Sequence, residues 1–407
     1  MGKLFLRERF EGLGRGMVER VETVSLGPAV PMLRAAELRS RSGRPAAIGA
    51  FNVNFYSQAE GILEGLRRAC APGILQASRG ANKFQGGPDR IAEMVRLAIR
   101  TSGHSLPVCL HLDHGDEPSA LECIEKGFGS VMIDLSKLDY EANIAATARI
   151  AELAHARGVS VEAELGQLSG VEEEVRAERT TYADPEKVPD FLRRSAADML
   201  AIAYGTSHGP NKGAGLERLA IHIVERSYRG MTEAGLSGER FLVSHGSSTV
   251  PQELVREINS FGGEIKEARG IPMDRLRAAI AAGIRKINID TDLRLGITAT
   301  FRRYFVEHPG VERKSAELAE VKRAIEANPA AIDPREYLGG LDRTLLRADP
   351  RGTPLEEVMG MVSERVAAQV ERLCREFGCA GLAPEVMGHS MEEMMVHYGG
   401  RRATQIL

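Results

Sequence analysis

The sequence predicts an α/β fold: a (β/α)8 barrel of the TIM type, with an N-terminal extension and a C-terminal helical appendage. Three observations carry that expectation. From about residue 45 short β-branched or apolar runs alternate with helical patterns, which is the signature of parallel βαβ units. The runs number eight, the count that closes a barrel. No GxGxxG follows a strand, so the usual fingerprint of a doubly wound sheet is missing.

The strand-like runs are, in order, AAIGAFNV (46–53), GILQAS (73–78), VCLHLD (108–113), SVMID (130–134), VSVEAEL (159–165), MLAIAYG (199–205), FLVSH (241–245) and RKINID (285–290). Helical spacing fills the gaps at 57–69, 89–101, 117–126, 140–157, 185–195, 214–229, 251–260 and 273–282, and again at 292–306. Three regions break the rhythm. Residues 1–44 read as an extension of helix and loop. Residues 166–184, GQLSGVEEEVRAERTTYAD, exceed an ordinary βα connection of about 2–6 residues and read as a lid over the working face. Residues 307–407 read as a helical appendage broken by Pro329, Pro334, Pro350 and Pro354, and as an oligomer contact. The expected division is thus 1–44, a catalytic barrel over 45–306, and 307–407.

Composition narrows the function classes. Hydrophobic residues make up 43% and charged residues 27% of the 407, as in a globular protein with a sizeable core. Lys plus Arg number 53 against 56 for Asp plus Glu, a net charge of −3, so neither nucleic acid nor an anionic membrane is expected as a partner. Five cysteines without a CxxC pair suggest reduced thiols and a cytoplasmic protein. The N-terminal stretch carries charges among its apolar residues, so no secretory signal is expected, and no apolar run approaches the ~18 residues of a membrane span.

In such a barrel the chemistry sits at the C-terminal ends of the strands. There the sequence places Ser78, Asp113-His114, Asp134, Glu162 and Glu164, His208-Gly209, His245-Gly246, and Asn288, Asp290 and Thr291. Three of the ten histidines, His114, His208 and His245, therefore fall at one level of the barrel. Any one of them read singly is an ordinary core or loop residue, but three imidazoles at equivalent positions suit Zn²⁺ with a fourth position open for catalysis. Asp113 beside a metal-binding histidine is placed for proton transfer. His111, two residues before Asp113 and on the same face, allows a second reading as a barrel metal hydrolase, although a core histidine bonded to a neighbouring strand is preferred. Late in the chain Gly209, Gly246, Ser248 and Thr291 lie in turns that suit phosphate, with Lys212 and Arg294 as sources of positive charge. The run Glu172-Glu173-Glu174 is a solvated loop face unless the lid delivers one of the three as a general base. Lys286 is the one lysine placed for a Schiff base, a route that three histidines make unnecessary.

With those residues assembled, the chain resembles the class II, metal-dependent fructose-1,6-bisphosphate aldolases. The matching segments are FNVN (51–54), LQASRGA (75–81), HLDHG (111–115), GFGSVMID (127–134), VSVEAELG (159–166), LAIAYGTSHG (200–209), HGSSTVPQE (245–253) and RKINIDTDLR (285–294), with DPREYL (333–338) as a weaker match beyond them. The resemblance implies metal ligands at His114, His208 and His245, with Glu164 as an alternative ligand. It implies Asp113 as the catalytic aspartate and Glu172 as the acid that takes the substrate proton, with Glu173 and Glu174 as its rivals. For the substrate it implies Asn52, Ser78, Gly209, Gly246, Ser248, Asn288, Asp290, Thr291 and Arg294, and Asp333 with Arg335 from a neighbouring subunit facing the far phosphate. The implied cofactor is Zn²⁺, leaving room for another divalent ion and for a monovalent cation.

The expected activity is reversible cleavage of fructose 1,6-bisphosphate to dihydroxyacetone phosphate and glyceraldehyde 3-phosphate, in glycolysis and gluconeogenesis, by a homo-oligomer (dimer or tetramer). Tagatose 1,6-bisphosphate or another ketose phosphate is the alternative substrate. A metal-free binding protein on the same barrel is the remaining reading, which a native protein without zinc would favour.

Overall fold

The computed structural model describes residues 26–166, 170–172, 175–177, 181–207, 219–339 and 352–406. Its strands are β1 Ile48–Asn52, β2 Gly73–Ser78, β3 Val108–Gly115, β4 Ser130–Ile133, β5 Ser160–Leu165, β6 Gly170–Glu172, β7 Val175–Ala177, β8 Met199–Ile202, β9 Phe241–Ser244 and β10 Ile284–Ile289. The helices through the barrel are α1 Val30–Arg41, α2 Tyr56–Ala69, α3 Arg79–Gln85, α4 Pro88–Ser102, α5 Glu117–Glu125, α6 Tyr140–His155, α7 Val188–Ser195, α8 Ile221–Glu233, α9 Gln252–Ser260, α10 Met273–Ala282 and α11 Thr291–Glu307. They are followed by α12 Ala316–Ala327, α13 Pro334–Leu338, α14 Pro354–Glu376 and α15 Met391–Ile406.

Eight parallel strands close in the order β1-β10-β9-β8-β5-β4-β3-β2, so the expected TIM barrel is the fold observed. Closure is made by β1 against β10, with Ala50 opposite Asn288. The remaining two strands, β6 and β7, form an antiparallel hairpin inside the long connection after β5. Local chemistry explains where the elements begin. Asp116 starts α5 with a capping box, accepting from the Ser119 amide at 3.0 Å while Ser119 Oγ accepts from the Asp116 amide at 2.9 Å. Pro88 opens α4 at a position where a missing N–H costs nothing. Two elements depart from the sequence reading. The short helix α3 was not expected, because its polar residues show no apolar period; it starts on the last residue of β2, whose Ser78 Oγ accepts from the Ala81 amide at 3.1 Å. Helix α8 begins at Ile221, later than the apolar spacing suggested, and runs on to Glu233.

The helices beyond residue 307 share one apolar core with the barrel layer. Helix α14 lies along α2, and the close approach requires glycine: a Cβ on Gly61 would stand 2.5 Å from the Ser363 carbonyl, and one on Gly65 would stand 2.6 Å from that of Ala367. At the opposite end from the strand C-termini, α1 covers the barrel floor, and Glu37 pairs with Arg285 at the start of β10 (2.6 Å). Among the described residues no helix is long and apolar enough to cross a membrane.

Helix α15 is held to the barrel by charge. Asp198, wholly buried just before β8, accepts from His155 Nε2 (2.9 Å), the Val161 amide (2.9 Å), Arg240 Nη1 (3.0 Å), Tyr398 OH (2.9 Å) and Arg401 Nη1 (3.1 Å). Burial alone would raise its pKa, but His155 and the two guanidiniums outweigh that and hold it well below the carboxylate range. Replacing Asp198 by Ala leaves Arg240 and Arg401 without their shared counter-charge, and the expected loss of stability is about 3–5 kcal/mol by chemical denaturation. A depressed carboxylate contributes stability above its unfolded pKa and loses it as pH falls toward the folded value. The gap between wild type and Asp198→Ala therefore narrows below pH 3.8, the ordinary value for the group. A gap unchanged through that range would refute the charge-based account.

Candidate active site

Residues two apart on a strand share a face, and the inward faces of four barrel strands carry polar pairs: Gln76 and Ser78 on β2, His111 and Asp113 on β3, Glu162 and Glu164 on β5, Lys286 and Asn288 on β10. They stack in two layers. Asp113, Glu164 and Asn288 form the upper layer, at the mouth. His111, Glu162 and Lys286 lie beneath and are wholly buried.

His114 and His245 meet in the upper layer. His114 sits at the end of β3 with φ of 48°, a left-handed conformation that a side chain bearing a Cβ rarely adopts, and this turns its ring inward. Its Nδ1 faces Asp134 Oδ2 at 3.0 Å, which leaves Nε2 toward His245 Nδ1, also at 3.0 Å. His245 Nε2 is taken up by Glu162 Oε1 at 2.6 Å. One ligand atom from each of Asp113, His114 and His245 falls within 4.8 Å of the others, and the same holds for His114, Asp134 and Glu164.

The site is built for a cation. Burial opposes charge on His114, yet Asp134, Asp113 and Glu164 outweigh it and push its pKa up to about 10. Glu164 is pushed well above the carboxylate range by burial and by Asp134. Among the described residues its Oε2 is buried without a hydrogen-bond partner, 3.9 Å from His114 Nδ1. A buried carboxylate oxygen lacking a donor, beside two imidazole nitrogens that face one another, fits a metal ion. His114, His245 and Asp113 or Glu164 would hold it among the described residues.

The other expected residues fall as follows. Asp113 is buried and accepts from Asn288 Nδ2 (3.2 Å) and Gln76 Nε2 (3.3 Å). Asn52, at the end of β1, accepts from Gln76 Nε2 as well. Ser248 Oγ accepts from the amides of Asp290 (3.2 Å) and Thr291 (3.0 Å), which ties the loop after β9 to the first turn of α11. Gly246 has φ of 58°, and a Cβ there would stand 2.4 Å from the Ser207 carbonyl, so only glycine lets the loops after β8 and β9 come together. Arg294 pairs with Asp290 (2.5 Å) and with Asp333 (2.8 Å), and Arg335 also pairs with Asp333 (2.7 Å). Asp333 thus joins Arg294 and Arg335 within one chain, because the N-cap of α13 meets the first turn of α11. His208, Gly209 and Lys212 lie outside the described residues. The backbone of Glu172 lies in β6, but its side chain, like Glu173 and Glu174, is outside them too.

Three participants were not singled out as site residues. Asp134 and Glu162 appeared only as strand-end acids. Gln76 had a legible signal, since it lies two residues from Ser78 and so shares its face. His111 is occupied elsewhere: Nδ1 faces Ser130 Oγ at 2.9 Å on the neighbouring strand, and burial with the nearby Lys286 holds its pKa well below 6.5. It forms no ligand group with Asp113 among the described residues, which removes the basis for the hydrolase reading.

Comparison with known proteins agrees with this geometry. The family model described as fructose-bisphosphate aldolase class-II matches residues 35–382, well beyond the stretch of motifs that carries the resemblance. A fructose-bisphosphate aldolase of Thermus caldophilus is 40% identical over 305 residues, 74% of this chain and 90% of that protein. One from Xanthobacter flavus is 34% identical over 382 residues, 88% of this chain and 94% of the relative. The crystal structure of a fructose-bisphosphate aldolase from Campylobacter jejuni superposes with a TM-score of 0.60 at 21% identity, covering 88% of this chain and 97% of that one, which speaks for the barrel alone. On the extent of the family match and the identity of these relatives, the chain belongs to the class II fructose-bisphosphate aldolases, a family of carbon–carbon lyases.

Proposed function

We propose that this enzyme reversibly cleaves fructose 1,6-bisphosphate to dihydroxyacetone phosphate and glyceraldehyde 3-phosphate, with Zn²⁺ as its metal. The observation that supports the reading most is the convergence of Asp113, His114 and His245 at the barrel mouth, beside the Glu164 carboxylate oxygen that lacks a partner among the described residues. His208, which follows β8 in the sequence, is the third imidazole of the proposed ligand set. A divalent ion held there supplies Lewis-acid polarisation of the C2 carbonyl.

The protein's own groups do the rest. In the condensation direction Glu172, carried on the β6–β7 hairpin, takes the C1 proton of dihydroxyacetone phosphate. As the carbon–carbon bond forms, Asp113 gives a proton to the aldehyde oxygen. In cleavage Asp113 takes the C4 hydroxyl proton, the C3–C4 bond breaks, and Glu172 returns a proton to carbon. Asn288 and Gln76, both donating to Asp113, hold its carboxylate in place. Asn52 and Ser78 orient the sugar. Gly209, Gly246, Ser248, Asp290 and Thr291 line the triose-phosphate site, and Arg294 with Arg335, bridged by Asp333, faces the far phosphate. We further assign a cytoplasmic location, and a homo-oligomer that uses residues 307–407.

The test is release of dihydroxyacetone phosphate from fructose 1,6-bisphosphate, with tagatose 1,6-bisphosphate in parallel, each with and without a chelator. Chelator-sensitive cleavage that favours the fructose ester is expected. Equal or faster cleavage of the tagatose ester, or activity indifferent to chelation, would overturn the substrate or the metal assignment respectively.

A further inference from the structure

A (β/α)8 barrel normally fills its interior with apolar side chains, and a lysine wholly removed from water is costly unless every charge and donor is matched. Lys286 meets that condition in an unusual way. Its Nζ lies 2.9 Å from Glu162 Oε2, 2.8 Å from Asn288 Oδ1 and 3.4 Å from His111 Nε2. An ammonium has three donors and no acceptor; here two acceptors face it, Asn288 Oδ1 and His111 Nε2, while Glu162 Oε2 supplies the counter-charge as an ion pair. These contacts also fix the state of each partner. His111 Nε2 must accept, so its Nδ1–H donates to Ser130 Oγ. Asn288 must present its carbonyl oxygen to Lys286, which leaves its Nδ2 to donate to Asp113 Oδ1 at 3.2 Å; the same Nδ2 lies 3.3 Å from His245 Nε2, farther than the 2.6 Å from that nitrogen to Glu162 Oε1. Glu162 has Oε2 on the ammonium and Oε1 on His245 Nε2. A carboxylate only accepts, so that nitrogen carries the proton and His245 Nδ1 is left as the electron-pair donor facing His114.

We propose that Lys286 is a positioning residue for the catalytic centre: through Glu162 it sets the tautomer and orientation of His245 as a metal ligand, and through Asn288 it orients the carboxylate of Asp113. One buried cation beneath the site thereby organises both the metal and the proton-transfer group without touching either. The inference rests on the reading of His245 as a ligand. Partners that hold a ligating histidine by its second nitrogen are worth about 10–100-fold in metal affinity.

The test measures zinc affinity of the full chain by competition with a chromogenic chelator, in wild type, Lys286→Met, Glu162→Gln, the double variant and His245→Ala. Lys286→Met, similar in size but uncharged, is expected to bind zinc about 10–100-fold more weakly. If Lys286 acts through Glu162, the double variant is no weaker than Glu162→Gln within about threefold, since coupled groups do not add. Lys286→Gln, which keeps an N–H for one partner, is expected to lie between wild type and Lys286→Met, and it carries the measurement should Lys286→Met fail to fold. At saturating zinc, Lys286→Met should still show a lowered kcat, from the loosened Asn288–Asp113 contact, with KM little changed.

Zinc affinity within twofold of wild type in the folded Lys286 variants, or independent effects of the two substitutions, would overturn the proposal. Should His245→Ala bind zinc as wild type does, the ligand reading itself fails. Loss of zinc in His245→Ala with none in the Lys286 variants refutes only the role of Lys286.

Discussion

Removing the divalent ion from the purified enzyme will lower cleavage of fructose 1,6-bisphosphate by on the order of 10³-fold or more, and added Zn²⁺ will restore it. The magnitude follows from the several kcal/mol of charge stabilisation that a Lewis acid supplies at a carbonyl, each ~1.4 kcal/mol being a factor of ten in rate. No described side chain offers a substitute. Lys286 is committed to Glu162 and Asn288 and is buried beneath the upper layer, so it is not available to a substrate carbonyl. His245→Ala should reproduce the loss even with zinc in solution, since it removes the nitrogen that faces His114 at 3.0 Å and takes from the Glu162 carboxylate its 2.6 Å partner. Metal content by elemental analysis, read beside the rate, checks both statements. Full activity in a protein shown to be free of metal would refute the mechanism.

Asp113→Asn should cost about 10²–10⁴-fold in kcat, the usual range for a positioned proton-transfer group. The amide keeps the shape of the side chain but cannot carry the proton that moves to and from the substrate oxygen. The variant separates two roles that the geometry alone allows, because an Asp113 oxygen also lies within reach of the two imidazoles. If Asp113 transfers protons, the variant keeps its zinc and loses turnover. If it is a ligand, zinc falls with activity. The amide keeps one acceptor oxygen, so the variant retains the contact from Gln76 or from Asn288 but not both, and a small fall in melting temperature with the fold intact is part of the expected result.

Most of the barrel was legible in sequence. A strand buried on both sides reads as a short apolar run, and GILQAS and the helix at 273–282 were bounded as they are found. The strand-end polar residues were legible for the same reason, because a barrel exposes chemistry where its strands stop. Helix α3 was not, since a single N-cap hydroxyl on Ser78, and no apolar stripe, starts it. The within-chain pairing of Arg294 with Asp333 was not legible either, because the two stand 39 residues apart and meet only where α12 turns the chain back.

Local pattern therefore decided the class of fold and the strand ends at which His114 and His245 sit, since these depend on period and residue type along a strand. Tertiary structure decided which groups share a proton, a pair or a cavity. Gln76 and Asp113 come from the consecutive strands β2 and β3, but Asn288, on the last strand β10, reaches Asp113 only because the barrel closes and brings its inward face round to theirs. The layer of His111, Glu162 and Lys286 reads in sequence as three polar residues inside apolar runs. Only the burial and mutual distances of all three show that each is the condition for keeping the others charged or neutral in the core.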